Sequence, residues 1–207
     1  MFDLVLLKKT EMRLLQGDRQ INETSLCRRS FMKYVLFSGI ATLVPNRVWS
    51  AIDDHTITER TLSLYNPNTK ESLCTTYWEN GAYVTDALEA IDHFLRDQLT
   101  GQEKSIDTKL LDLLYAMKTK LDTERPFYVI SGYRSPKTNA LLRRRGRPAA
   151  KNSFHLQGKA VDIYMPGYKL SALHRTSTQL HAGGVGYYPR HGFVHIDVGP
   201  IRYWAGN

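Results

Sequence analysis

The stretch Ser153-Phe-His155-Leu-Gln-Gly158-Lys-Ala160-Val-Asp162 holds residue types that can bind a metal. His155 precedes a glycine turn and Asp162 lies in the apolar run that follows, so the chain can fold both side chains toward one point. Further on, Phe193-Val-His195-Ile-Asp197 alternates apolar and polar residues. A strand with that alternation puts His195 and Asp197 on one face and Val194 and Ile196 on the other. Neutral imidazoles and one carboxylate suit zinc, and three protein ligands leave a fourth position for water. A metal held that way lowers the pKa of its water toward ~7 and polarises a carbonyl. Spacing alone fits a satisfied polar pair equally well, so the ligand reading depends on what surrounds these residues.

The elements that must position them are readable in outline. Thr56–Tyr65 is rich in β-branched residues, Asn66-Pro67-Asn68 signals a turn, and Glu71–Trp78 reads as a second strand, which together make a hairpin. Apolar residues at Val84, Ala87, Leu88, Ile91, Phe94, Leu95 and Leu99 recur at helical spacing. Ile106, Leu110, Leu111, Leu114, Met117 and Leu121 repeat the pattern, with Asp107 or Ser105 as a cap. Pro126 leads into a strand at Phe127–Ser131, and Pro136–Arg145 forms a short helix ending at Gly146. Lys159–Tyr164 is a strand and Lys169–His181 a helix, followed by strands at Gly184–Tyr188 and Phe193–Val198. No regular βαβ repeat runs through them, so the fold class is α+β, a mainly antiparallel sheet flanked by helices.

The chain has 207 residues, 42% of them hydrophobic, and a net charge of +8. That suits one folded domain with length to spare. The basic run at residues 143–151 is either a solvated surface or a contact to an anionic polymer. No basic stripe is interleaved with aromatics, so no nucleic-acid partner is expected. Cys27 and Cys74 lie outside any C-x-x-C, which leaves thiolate zinc sites and dithiol redox chemistry without support.

Residues 1–50 read as an address. Arg28-Arg-Ser-Phe-Met-Lys33 precedes an apolar run at Tyr34–Val44 and a small-residue exit at Val48-Trp49-Ser50-Ala51. A basic start, a short apolar run and such an exit make a secretory signal, and the twin arginine gives it a Tat character. The apolar run is about eleven residues, short of the ~20 that span a bilayer. The expectation is a Tat signal over 1–50, a catalytic domain over 51–207, a periplasmic location, and no stable membrane insertion once the signal is removed.

Four motifs occur in order: Ser131-Gly-Tyr-Arg134-Ser, then S-x-H-x-x-G-x-A-x-D, then Gly183-Gly-Val-Gly-Tyr-Tyr, then Phe-Val-His195-Ile-Asp. In this the chain resembles the D-alanyl-D-alanine metallopeptidase group, whose fold is shared by the hedgehog signalling domain and the LAS peptidases. Within that group it is most similar to murein endopeptidases. The likeness covers nearly all of the chain from Ala51 on, and the twin-arginine segment as well.

The resemblance implies that His155, Asp162 and His195 bind Zn2+. It implies that Arg134 faces the site, binding a substrate carboxylate or steadying an oxyanion; a structural ion pair is the plainer role. Asp197 would orient a ligand histidine or merely end its strand. Ser153 would hydrogen-bond the site or turn the chain. Several relatives carry Glu or Asp three residues before the last zinc histidine; here that position is Gly192, and His191 is the substitute candidate for general base. Tyr187 and Tyr188 would line the cleft or pack within the strand, and His55, His93, His174 and His181 would be structural or surface residues.

The implied activity is hydrolysis of peptidoglycan cross-links involving diaminopimelate, of both 3-3 and 4-3 type. The competing readings are a D,D-carboxypeptidase and a non-catalytic zinc-stabilised wall-binding module. For the basic run, the implied polymer is the cell wall.

Overall fold

A computed structural model of the chain describes residues 57–147 and 149–206. The export segment expected over 1–50 and His55 lie outside the described residues. The strands are β1 Glu59–Tyr65, β2 Ser72–Glu79, β3 Ala82–Tyr83, β4 Phe127–Ser131, β5 Ala160–Tyr164, β6 Gly184–Tyr188, β7 Phe193–Asp197 and β8 Arg202–Ala205. The helices are α1 Thr85–Phe94, α2 Thr108–Lys120, α3 Pro136–Arg144 and α4 Leu170–Gln179. All the strands join one sheet in the order β3-β2-β1-β4-β5-β7-β6-β8. Its pairings are antiparallel except β1 with β4 and β6 with β8. The α+β class with a mainly antiparallel sheet is the one observed. No helix among the described residues is long and apolar enough to cross a membrane.

Local chemistry explains most boundaries. The β1–β2 hairpin closes because the Asn66 side chain accepts the N–H groups of Asn68 and Thr69, at 2.9 and 3.3 Å. Helix α2 starts where the Asp107 carboxylate accepts the Lys109 N–H at 3.0 Å. Helix α1 stops at Phe94, short of the pattern that runs on to Leu99. The reason is Asp97: its carboxylate accepts the N–H groups of Leu99 and Thr100, and of Ser135 at 2.7 Å, drawing the chain into a turn against the β4–α3 loop. Leu99 consequently ends up 55% exposed. Strands β3 and β8, of two and four residues, are too short for a period-2 pattern to declare them.

The sheet has one apolar and one chemical face. Leu62, Leu64, Phe127, Val129, Val161, Ile163, Val185, Val194 and Ile196 alternate along five strands and join one buried cluster with Ile91, Leu110, Leu114, Met117 and Leu173 of the helices. Burying each such side chain contributes about 1.5–3 kcal/mol, whereas an exposed ion pair contributes about 0–1 kcal/mol. The apolar face therefore fixes where the strands lie. The residues between them, Asp162, His195 and Asp197 among them, are presented on the opposite face as a consequence.

Candidate metal centre

Strands β5 and β7 are adjacent and antiparallel, and Asp162 pairs directly with His195 across one rung. The third residue comes from outside the sheet. His155 sits in a single 3-10 turn, Phe154–Gln157, that starts where Ser153 accepts the His155 N–H and ends at Gly158 with φ 68°. The loop after β4 fastens that turn: His155 Nδ1 donates to the Gly132 carbonyl at 2.7 Å, and the Arg134 N–H donates to the His155 carbonyl at 3.1 Å. Two cross-sheet fastenings thus deliver one imidazole to a point above β5.

Three ligand atoms meet there. His155 Nε2 is 3.2 Å from Asp162 Oδ1 and 3.1 Å from His195 Nδ1, and His195 Nδ1 is 2.8 Å from Asp162 Oδ1. Ligand atoms about 2.0–2.2 Å from a tetrahedral zinc stand about 3.3 Å from one another, so the triangle needs only a small expansion to hold the ion. The tautomers agree. A carbonyl accepts from His155 Nδ1, so Nε2 carries the lone pair; the Asp197 carboxylate accepts from His195 Nε2 at 2.9 Å, so Nδ1 carries its own. Two imidazole lone pairs and a carboxylate oxygen facing one another repel unless a cation sits among them. The donor set fits a borderline divalent metal such as zinc.

The electrostatics point the same way. Burial pushes His155 down to about 4, against the pull of Asp162, so its ring is neutral near pH 7. Burial would raise Asp162, but the polar contacts it makes with His155, Arg134 and His195 outweigh burial and hold the carboxyl well below its usual range. Burial would lower His195, yet its hydrogen bonds to Asp162 and Asp197 and their charges raise it. A proton on His195 is the lightest cation that this cluster can hold.

Asp197 is wholly buried and saturated. Besides His195 it accepts from the Gly184 and Gly199 N–H groups and from Arg202, whose Nη2 lies 2.6 Å from Oδ2. Burial works against its charge, but these bonds bring its pKa down to about 2. Arg134, 7% exposed, places Nη2 3.0 Å from Asp162 Oδ2, so its guanidinium is ion-paired to a member of the triangle. Ser153 turns the chain and lines the cavity above the cluster.

The general-base candidate His191 packs among aromatic rings. It lies in the β6–β7 turn, with its ring 6.3 Å from Tyr188 and 6.1 Å from Phe193, and it is absent from the cavity lining. Gly192 beside it has φ 75°, a left-handed conformation that suits glycine and disfavours residues with a β-carbon. An acid at this position would carry that backbone strain, although no neighbour crowds it. Tyr188 lines the cavity, whereas Tyr187 packs at 4.8 Å on His174. Outside the cluster, His93 pairs with Glu103 at the surface and His181 with the Tyr203 hydroxyl.

Sequence reasoning missed Phe154, Arg202 and Trp204, which also line the cavity. Arg202 and Trp204 alternate on β8, and the Trp204 ring is 5.3 Å from His195. The signal for them was the preceding glycines. A β-carbon at Gly186 would stand 2.5 Å from the Trp204 ring, and one at Gly184 would stand 2.5 Å from both Asp197 and Arg202. Glycines at alternate positions of a strand mark where large side chains cross it. The cavity has a volume of about 90 Å³ and is open to solvent on one side.

A family model described as peptidoglycan L,D-endopeptidase MepK matches residues 54–204. The peptidoglycan L,D-endopeptidase MepK of Escherichia coli (strain K12) is 41% identical over 175 residues, spanning 83% of this chain and 95% of that protein. The probable peptidoglycan L,D-endopeptidase MepK of Haemophilus influenzae is 36% identical over 178 residues, 84% of this chain and 95% of its own length.

Proposed function

Because this chain belongs to the peptidoglycan L,D-endopeptidase MepK family, we propose that it hydrolyses peptide cross-links of peptidoglycan, those involving diaminopimelate, with zinc held by His155, Asp162 and His195. The observation that carries the reading is the triangle of ligand atoms, 2.8–3.2 Å apart, at the base of a cavity. Zinc bound there supplies Lewis-acid polarisation of the scissile carbonyl and activation of water.

The protein's own residues do the remaining work. Asp197 and the Gly132 carbonyl fix the two imidazoles in the tautomers that leave the ligand nitrogens bare. Arg134 balances the Asp162 charge and keeps the carboxylate from taking a proton. The Phe154 and Trp204 rings restrict water around the cluster. Alongside them, the exposed basic residues Arg143, Arg144, Arg145, Arg147 and Lys151 precede Asn152 and Ser153 of the cavity wall, which supports a contact to the anionic wall polymer. A substrate of this kind lies outside the cytoplasm, in keeping with a twin-arginine export signal in residues 1–50 and a periplasmic site of action.

The test is digestion of defined muropeptides. Purified protein is expected to convert 3-3 and 4-3 cross-linked dimers to monomers, to stop after chelation, and to recover with added zinc. Release of terminal D-alanine from pentapeptide monomers with the dimers left intact would make it a carboxypeptidase, and wall binding with no turnover would make it a binding module. Replacing His191 by Ala decides its role: lost turnover at unchanged zinc content makes it the proton acceptor, and unaltered turnover removes it.

A further inference from the structure

We propose that the Tyr188 hydroxyl is the hydrogen-bond donor to the scissile carbonyl oxygen as that atom gains charge, and that Trp204 holds it in this role. The inference rests on the hydrolase reading above and assigns a further catalytic residue within it. The donors that line the cavity differ in how far they are already engaged; Ser153, which accepts the His155 N–H, keeps its own O–H at the base of the wall. Arg134, the obvious cation, is tied to Asp162 through Nη2, and moving it would leave a buried carboxylate unbalanced, although its Nε donates to no group among the described residues. Arg202 is spent on Asp197 and the Pro200 carbonyl. The Trp204 indole N–H is spent on the Tyr188 hydroxyl, at 2.8 Å. Asn152 lines the cavity too, but from an exposed loop.

Tyr188 is different. An indole nitrogen can only donate, so the phenol oxygen is the acceptor in its bond with Trp204 and its own O–H must point elsewhere. Among the described residues, no hydrogen bond takes that proton. The ring is held on several sides: it stacks on Phe193 with centroids 4.7 Å apart and planes at 21°, and Gly206 packs against it so closely that a β-carbon would collide with the ring. Tyr188 also stands on the right face. Gly186 pairs with His195 across the β6–β7 ladder, and Tyr188 lies two residues further along β6, about 7 Å away at strand rise. A donor whose ring is fixed in the cavity wall needs little rearrangement as charge develops, which is where such groups act most strongly.

The step balances without moving a proton through Tyr188. Water adds to the carbonyl carbon, the π pair moves onto oxygen, and the phenol O–H bonds to that oxygen more strongly than to the neutral carbonyl. The C–N bond then breaks, giving a carboxylate and a protonated amine that carries both protons the water brought.

The test compares wild type, Tyr188→Phe and Trp204→Phe on a cross-linked dimer. Y188F keeps the ring packing, so zinc content and KM are expected to hold, the pH–rate profile to keep its shape, and kcat to fall about 10²–10³-fold. Its affinity for a phosphinic pseudopeptide, measured by calorimetry, should fall in the same proportion, while W204F should lose less on both measures. Wild-type turnover in Y188F overturns the assignment alone, and an intact dimer with the wild-type protein overturns the hydrolase reading and the assignment with it. If Y188F sheds zinc, W204F decides: reduced kcat with zinc retained supports the proposal, and unchanged kcat rejects it.

Discussion

At the scale of single residues, the proposed centre depends on a chain of hydrogen bonds that runs inward from the surface. Arg202 holds Asp197, Asp197 holds His195 Nε2, and His195 turns Nδ1 toward Asp162. Removing a carboxylate that orients a metal-bound histidine typically costs 10–100-fold in affinity. Asp197→Asn is therefore expected to weaken zinc binding by about that factor in chelator competition, with circular dichroism unchanged; equal affinity would show that His195 needs no such partner. Part of this was legible. Alternation in Phe193–Asp197 already placed Asp197 beside His195, because period 2 leaves no other face for it. Arg202 and Trp204 were not legible, since an ion pair and a ring contact made from a four-residue strand leave no periodic trace.

At the scale of elements, the hairpin, α2, β4, β6 and β7 follow directly from turn chemistry, capping and apolar spacing. Helix α1 does not, because its end is decided by a tertiary contact. Asp97 is 2% exposed and takes three backbone N–H groups from two segments. Burial would raise its pKa, but the hydrogen bonds from Ser135 and Thr138 and the backbone N–H groups outweigh burial and lower it. A depressed carboxyl contributes stability above its unfolded value, about 3.9, and loses it as pH falls through the lower folded value. Stability of the wild type should therefore drop below about pH 4, and Asp97→Asn should flatten that limb while costing about 1.5–3 kcal/mol at neutral pH. Denaturant midpoints measured from pH 7 to 3 check both; parallel curves would remove Asp97 from the acid response.

At the scale of the whole molecule, the division of the sheet into an apolar and a chemical face was readable strand by strand. The glycine turn between His155 and Asp162 already allowed those two to meet, but what holds His155 over the sheet was not readable. Its approach depends on Gly132 and Arg134 clasping a 3-10 turn, and nothing in the spacing of residues 131–162 announces the clasp. The ordered motifs carried that part of the inference, through likeness to relatives and not through geometry.

The rung that sets Asp162 against His195 has one more implication. A shift of β7 by a single position would offer Val194 or Ile196 to the cation in place of an imidazole. What forbids the shift is the greasy underside of the same two strands, where Val161, Ile163, Val194 and Ile196 interlock. Hollowing that underside with Ile196→Ala, at about 2–5 kcal/mol, should loosen zinc as well as lower Tm, although the side chain never touches the ion. Zinc affinity equal to wild type in that variant would mean that the ladder keeps its own alignment; otherwise, titrating the metal amounts to reading the alignment of the strands beneath it.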